Sequence, residues 1–289
     1  MFAADFEYYR ASSVAEAGRL LAAHPGAKLL AGGHSLIPLL KLRLAAPAAV
    51  VDIGRIAELR GISSDGGGLT IGALTPHADI AASADVQAHA AALAEAAGQI
   101  GDPAVRNRGT IGGNIAHADP ASDLPTVLAA LGATFSITGP GGDRTVSAGD
   151  FFQGVMMTAL GEHDLLTSIH VPSAGGAGRG SAYAKFPHPA SRYAVVGAAA
   201  AVTVSGGTCT AASVAVGGVT PVPVQCGAVE RALAGQALSA ESIAAAAAAA
   251  GDDLGDDVLG DVFASAEYRK AVTPVYVRRA IEAAAGRAG

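Results

Sequence analysis

The sequence predicts an α+β protein in two parts, and three observations carry that reading. Its 289 residues exceed the usual size of one compact domain and suit two of roughly 100 to 200 residues. The first hundred or so residues alternate short β-branched runs with helical patterns, whereas the final third places consecutive strand-like runs ahead of alanine-rich helices. Between the parts, Pro172 to Gly180 (PSAGGAGRG) offers almost no side chain worth burying, which sets residues 1–175 as one domain and 178–289 as the other.

In chain order, Ser13 to Ala23 spaces apolar residues for a helix behind a Ser cap, and Lys28 to Leu30 reads as a short strand entering a glycine pair. Leu36 to Leu44 is largely apolar but carries Lys41 and Arg43, and Ala49 to Ile53 has the β-branched run of a strand. Leu69 to Gly72 is a third strand, and His77 to Ala84 and Val86 to Ile100 read as helices. A second glycine-rich segment, Arg108 to Asn114, precedes a helix from Ser122 to Leu131 with a Ser cap and Asp123 in its first turn. Phe135 to Thr138 and Thr145 to Val146 bracket a hairpin turn, and Leu165 to Val171 is a strand ended by Pro172.

In the second part, Ser181 to Phe186, Ala194 to Val204 and Thr208 to Val216 predict a three-stranded antiparallel sheet. Helices Ala228 to Leu233 and Ala240 to Ala250, and a last one from about Thr273 to Ala285 behind a Thr-Pro start, cover one face of it.

Composition narrows the function. The chain is 51% hydrophobic and 15% charged, but aromatic residues are 4% and tryptophan is absent, so alanine carries much of the apolar content. Small residues pack elements closely and leave few large anchors, which leaves room for a cofactor or a partner subunit to supply buried bulk. A formal charge of -6 without any Lys/Arg cluster argues against a nucleic-acid partner. Cys209 and Cys226 fit neither a disulfide scaffold nor the four-thiolate spacing of a cluster, and read as buried reduced thiols. The N-terminus has acids and tyrosines where a secretory signal needs a basic then an apolar run, and no stretch reads as a membrane span, so a cytoplasmic location is expected.

Two segments carry binding chemistry. In Leu30 to Ser35 (LAGGHS) a strand runs into a turn whose glycines reach positive φ and leave the backbone accessible, so that successive N–H groups form an anion-binding nest with the Ser35 hydroxyl. Thr110 to Asn114 (TIGGN) offers the same ingredients, and two such nests suit a pyrophosphate gripped from opposite sides. Neither is a dinucleotide fingerprint of the GxGxxG kind nor a P-loop, and a Gly-Gly pair alone is an ordinary tight turn.

Taken together, LAGGHSLIPLLKLR, GTIGGN, the downstream SDLP, SRYAVVG and the closing EYRK and VRRAIE resemble the FAD-binding medium subunit of molybdenum hydroxylases of the carbon monoxide dehydrogenase and xanthine dehydrogenase type. The resemblance spans essentially the whole chain. It implies a two-part FAD-binding domain of the PCMH type followed by a smaller domain of antiparallel sheet and helices. It also implies that FAD is the cofactor of this chain, while molybdopterin and iron-sulfur clusters sit in a large and a small partner subunit, in a dimer of heterotrimers that serves an external electron acceptor.

Residue by residue, the resemblance places Leu30, Ala31, Gly32, Gly33, His34, Ser35 and Leu36 at the FAD pyrophosphate, with Thr110, Ile111, Gly112, Gly113 and Asn114 opposite. Asp123 takes the position of an acid that hydrogen-bonds the adenosine portion, although the first turn of a helix accounts for an aspartate equally well. Ile100 is carried over as a further cofactor-binding residue, Leu166 and Lys185 match positions against the flavin, with Lys185 a donor to the ring edge, and Tyr193 matches the residue of the second domain that approaches the ring. For His34 the residues allow either a general base or a ring packed beside the cofactor, for Lys185 a solvated cation, and for Tyr193 a rim aromatic.

Overall fold

The computed structural model describes residues 2–289. At the N-terminus β1 (Glu7–Arg10), α1 (Val14–Ala23), β2 (Lys28–Leu30), α2 (Leu36–Leu42) and β3 (Ala49–Asp52) build a small α/β unit around a three-stranded sheet in the order β1-β3-β2, with both pairings parallel. Ala17 and Leu21 of α1 pack on Val51 and Ile53 of the central strand and its exit. β1 went unpredicted because EYYR is mostly solvent-facing, and only its register against Ala49–Asp52 makes it a strand.

The next unit runs through β4 (Ile62–Ser64), β5 (Gly68–Gly72), α3 (His77–Ala82), α4 (Ala84–His89), α5 (Ala91–Gln99), α6 (Pro103–Arg106), α7 (Ile111–His117) and α8 (Asp123–Ala130). It continues with β6 (Thr134–Gly139), β7 (Gly142–Ser147), α9 (Ala148–Phe151), the small hairpin β8 (Phe152–Gly154) and β9 (Met157–Thr158), and β10 (Leu165–Pro172). Its five strands form one antiparallel sheet in the order β4-β5-β10-β6-β7. Leu69, Ile71, Phe135, Ile137, Ile169 and Val171 alternate inward to meet α3, α5 and α8.

The single helix expected over Val86–Ile100 is two, broken at Ala90 with φ -149° and ψ 58°. The break frees the His89 carbonyl to accept from Ala174 N at 2.7 Å, which ties the segment after β10 to α4. The one glycine of the run, Gly98, lies eight residues past the break, so no Gly or Pro near Ala90 announces it.

The C-terminal domain has β11 (Arg179–Pro187), β12 (Ala194–Ser205), β13 (Thr208–Gly217), β14 (Val224–Gln225), α10 (Gly227–Leu233), α11 (Ala240–Ala248) and α12 (Ala266–Ala288). The sheet has four strands instead of three, because Val224–Gln225 adds a short edge to β13. Both faces are covered. Ala198, Ala200, Val202, Val214 and Val216 face Val277, Ala280, Ile281 and Ala284 of α12, while Tyr183, Ala199 and Ala215 join the core of the preceding domain. The second face accounts for much of the alanine: a Cβ on Gly217 would lie 2.0 Å from Thr126 Oγ1 of α8, so only small residues let that helix reach the sheet.

The last helix begins well before Thr273. Ser265 caps it by accepting from Tyr268 N, and Pro274 lies inside it. A proline in a helix interior costs about 3 kcal/mol, and packing offsets it here. The buried Arg269 donates to the carbonyls of Val195 at 3.2 Å, Gly218 at 2.6 Å and Ala264 at 3.2 Å, and to Asp261 at 2.5 Å, which fastens the first turns to the sheet. Among the described residues no helix is long and apolar enough to cross a membrane.

Candidate cofactor-binding site

The first glycine segment is the turn between β2 and α2. Ile53 N donates to Leu30 O at 3.0 Å, which fixes where the chain leaves the parallel sheet. Gly33 then takes φ +80°, a left-handed conformation that a side chain resists, and Leu36 opens the helix. Among the described residues, no acceptor pairs with the backbone N–H groups of Gly32, Gly33, His34 and Ser35, and the Ser35 hydroxyl makes no capping bond. Four successive free donors and a hydroxyl match the expected anion nest.

Beside them lies a cleft of about 590 Å³ lined by Gly32, Gly33, His34, Ile37, Lys41 and Arg108, among others. Lys41 and Arg108 were not singled out as ligand groups from the sequence. Their signal was position: each stands beside a glycine segment, and two exposed cations beside free N–H donors favour a bound phosphate.

The second segment departs from expectation. Gly112 and Gly113 are helical, inside α7, and Thr110 is its N-cap. Its N–H groups are spent within the chain: Ile111 N reaches Thr75 O at 3.0 Å, Gly112 N reaches Ala73 O at 2.8 Å, Gly113 N reaches Thr110 Oγ1 at 3.2 Å and Asn114 N reaches Thr110 O at 3.0 Å. Thr110–Asn114 is therefore no second backbone nest. Glycine is required there by close approach, since a Cβ on Gly112 would lie 2.5 Å from Ala73 Cβ and 2.7 Å from its carbonyl. What the segment offers a ligand is the open surface of Gly113 and the Asn114 carboxamide, whose Oδ1 accepts from Ser122 Oγ at 2.7 Å, leaving the amide N–H groups free. Ser122, read as a helix cap, makes this bond instead.

The two segments nevertheless meet. A Cβ on Gly32 would lie 2.1 Å from Arg108 O and 2.9 Å from Gly109 Cα, and one on Gly113 would lie 3.8 Å from Ala31 Cβ. Residues some 80 positions apart in sequence thus form one surface.

From Asn114 and Ser122 the site continues into a buried polar cluster. Asp123, the first residue of α8, accepts from Tyr183 Oη at 2.6 Å and from Lys185 Nζ at 2.9 Å. Lys185 Nζ also donates to Arg192 O at 2.8 Å and Gln99 O at 3.3 Å, beside Ile100, so all three of its protons are taken. Lys185 therefore has no free proton for a flavin edge, and both carboxylate oxygens of Asp123 are already paired; the expected donor and acceptor meet each other. Burial pushes the Asp123 carboxyl up, and the Lys185 ammonium and Tyr183 hydroxyl pull it back down. Tyr183, like Lys41 and Arg108, is a residue the sequence reading missed.

Of the remaining predicted residues, Leu166 is buried in β10 one residue before Thr167, whose carbonyl accepts from Ala73 N at 3.0 Å. That places it beneath the second segment. Ile100 ends α5 and is half-buried. Tyr193 is exposed at the end of the β11–β12 loop, and partial burial, with Asp119 and Asp123 nearby, raises its hydroxyl pKa.

Among the described residues His34 makes no hydrogen bond, and it lies near His77, which is buried behind Gly109 with no partner for Nδ1. Burial first, then the His34 charge, push His77 down to about 4. His77 thus folds neutral, and the unfolded chain protonates it first. Stability is complete above the ordinary imidazole value and falls as pH drops from about 6.5 toward 4, by at most roughly 3 kcal/mol. Urea midpoints between those pH values should fall less in His77→Gln than in the parent, and parallel curves would contradict this.

An anion nest at the end of a parallel-sheet strand, in a chain that adds a second domain of antiparallel sheet and helices, defines a two-domain α+β protein with a candidate phosphate-binding site. Residues 4–174 match the family described as FAD binding domain in molybdopterin dehydrogenase, and residues 181–284 that described as CO dehydrogenase flavoprotein C-terminal domain; the chain belongs to this flavoprotein family and carries its FAD-binding domain. It is 43% identical over 282 residues to the carbon monoxide dehydrogenase medium chain of Hydrogenophaga pseudoflava, covering 96% of each chain. The fold matches a chain of that organism's carbon monoxide dehydrogenase lacking the Mo-pyranopterin moiety, with TM-score 0.94 and 44% identity over 100% of both chains. It matches a chain of quinoline 2-oxidoreductase from Pseudomonas putida 86 with TM-score 0.93 and 33% identity, over 100% of this chain and 99% of that one.

Proposed function

We propose that this chain is the FAD-carrying electron-transfer subunit of a molybdenum hydroxylase complex. The observation that carries the reading is the row of four unpaired backbone donors at Gly32–Ser35 beside Lys41 and Arg108. In this reading residues 1–175 hold FAD and 178–289 cover it. Gly32, Gly33, His34 and Ser35 grip the pyrophosphate, Gly113 and Asn114 face it from the second segment, and Tyr193 closes over the ring. FAD supplies the ability to take up electrons singly and release them in pairs. The protein's part is to hold the dinucleotide, exclude water and present one edge to its partners.

Those partners are a large molybdenum-cofactor subunit and a small iron-sulfur subunit, assembled in the cytoplasm as a dimer of heterotrimers, with an external acceptor taking the electrons. Carbon monoxide and quinoline, named in two of the matched structures, are different molecules. In the proposed reading the large subunit sets the substrate.

The test mixes the flavin-loaded chain with its copurified partner subunits and the complex's reducing substrate under anaerobic conditions. The visible absorbance of the oxidised flavin should bleach with all components present and stay constant when the partners are left out. Bleaching by substrate and this chain alone would make it a self-sufficient oxidase.

A further inference from the structure

We propose that Lys185 is a positioning residue that clamps the β11–β12 loop and thereby sets where Tyr193 stands, with Tyr183 orienting the carboxylate that holds it. The loop His188–Tyr193 follows an irregularity in the β11–β12 register at Phe186/Pro187. Its internal bonds close it into a small ring: His188 N to Tyr193 O at 2.7 Å, Arg192 N to His188 O at 2.8 Å, and Ala190 N and Ser191 N to His188 Nδ1 at 3.2 and 3.3 Å. That ring does not by itself fix the loop against the other domain. Arg192 has φ 61°, a conformation a non-glycine side chain leaves unless something holds it.

What holds it is the Lys185 ammonium, 2.8 Å from the Arg192 carbonyl. The ammonium is anchored in turn by Asp123 Oδ2 and Gln99 O, both from the FAD-binding domain, and its side chain is 1% exposed. Tyr183 fixes the other carboxylate oxygen, and Gly197 makes room for it: a Cβ there would lie 2.4 Å from the phenol oxygen. Tyr193 is 44% exposed, so its own burial does not set its place; it stands between the clamped carbonyl of Arg192 and the Ala194 N–H, which donates to Ala121 O of the FAD-binding domain at 3.0 Å, and the Lys185 clamp is the side-chain member of that pair. The consequence for a flavin rests on the function proposed above, but the clamp is testable without any cofactor.

The peptide bond after Arg192 is a trypsin site, and limited trypsin digestion of the full chain reads the loop directly. Losing one bond from a charged donor should speed cleavage after Arg192 about tenfold in Lys185→Met, relative to the other exposed Lys and Arg sites. The double variant Asp123→Asn with Lys185→Met removes the unpaired buried carboxylate, so its thermal stability should return toward the parent while cleavage after Arg192 stays fast. A purely structural role predicts that both recover together, and that outcome, or unchanged cleavage in both variants, overturns the proposal. If Lys185→Met does not fold, the double variant carries the test alone. FAD uptake, titrated separately on the parent, distinguishes failure of the clamp from failure of the proposed function.

Discussion

Gly32→Ala is expected to weaken FAD binding by about tenfold to a hundredfold, because overpacking of this kind costs about 1–3 kcal/mol. The added methyl would sit 2.1 Å from the Arg108 carbonyl and 2.9 Å from Gly109 Cα, and both neighbours are backbone that cannot rotate aside. Either the turn at residues 31–33 or the turn that leaves α6 at 108–109 must move, and both line the proposed pyrophosphate site. A matched control is Gly18→Ala in α1, where the added methyl would meet Leu165 Cδ1 at 4.0 Å. Removing an exposed-to-intermediate helix glycine with room for a methyl should leave stability equal or raised by up to about 1 kcal/mol. FAD titrations followed by flavin fluorescence decide the matter. Equal affinities for both variants would show that the contact between the two glycine segments is not needed.

Lys185→Met is expected to be the most destabilising single change in the site. It keeps the volume of the side chain but leaves the Asp123 carboxylate buried with only Tyr183 as partner. Breaking a buried pair by removing one member costs about 3–5 kcal/mol. Burial already pushes Asp123 up, and loss of the ammonium pushes it further, so the variant should lose most stability at neutral and alkaline pH and recover part of it as the carboxyl gains a proton. Urea denaturation of the parent, of Lys185→Met and of the double variant with Asp123→Asn measures the coupling. A loss below about 1 kcal/mol for the single change would mean that the pair is hydrated and works as a surface ion pair.

What the sequence made legible follows from the range of the forces involved. Strands with β-branched cores, such as Ala49–Asp52 and Leu165–Pro172, declare themselves by local pattern, and so does the nest at Gly32–Ser35, where a turn at the end of a strand needs only neighbours in sequence. Glu7–Arg10 does not, because its strand character comes from a partner some 40 residues away. The helical state of Gly112 and Gly113 was hidden for a related reason: glycine disfavours helix locally, and the demand for it is the closeness of Ala73. Pro274 misled similarly, its local preference for a helix start being outweighed by the buried Arg269 one turn earlier.

The site divides along the same line. Asp123 and Lys185 were identified as site residues by resemblance, yet that they bind each other, 62 positions apart, and share Tyr183 and the Arg192 carbonyl is knowable only from their positions in space. Tyr183 had no local signal, because nothing in RGSAYAKFP marks that tyrosine, rather than Phe186, as the partner of a carboxylate 60 positions earlier. The alanine content, read as a lack of bulk to be supplied from outside, proves to be the means by which α8 and the C-terminal sheet approach each other.

The central claim is that this chain holds FAD, and the most direct measurement is the flavin content of the chain purified with its partner subunits. Acid should release intact FAD, identified by chromatography against authentic FAD and FMN, at one molecule per chain. Protein free of flavin, which also fails to take up added FAD, would contradict the account.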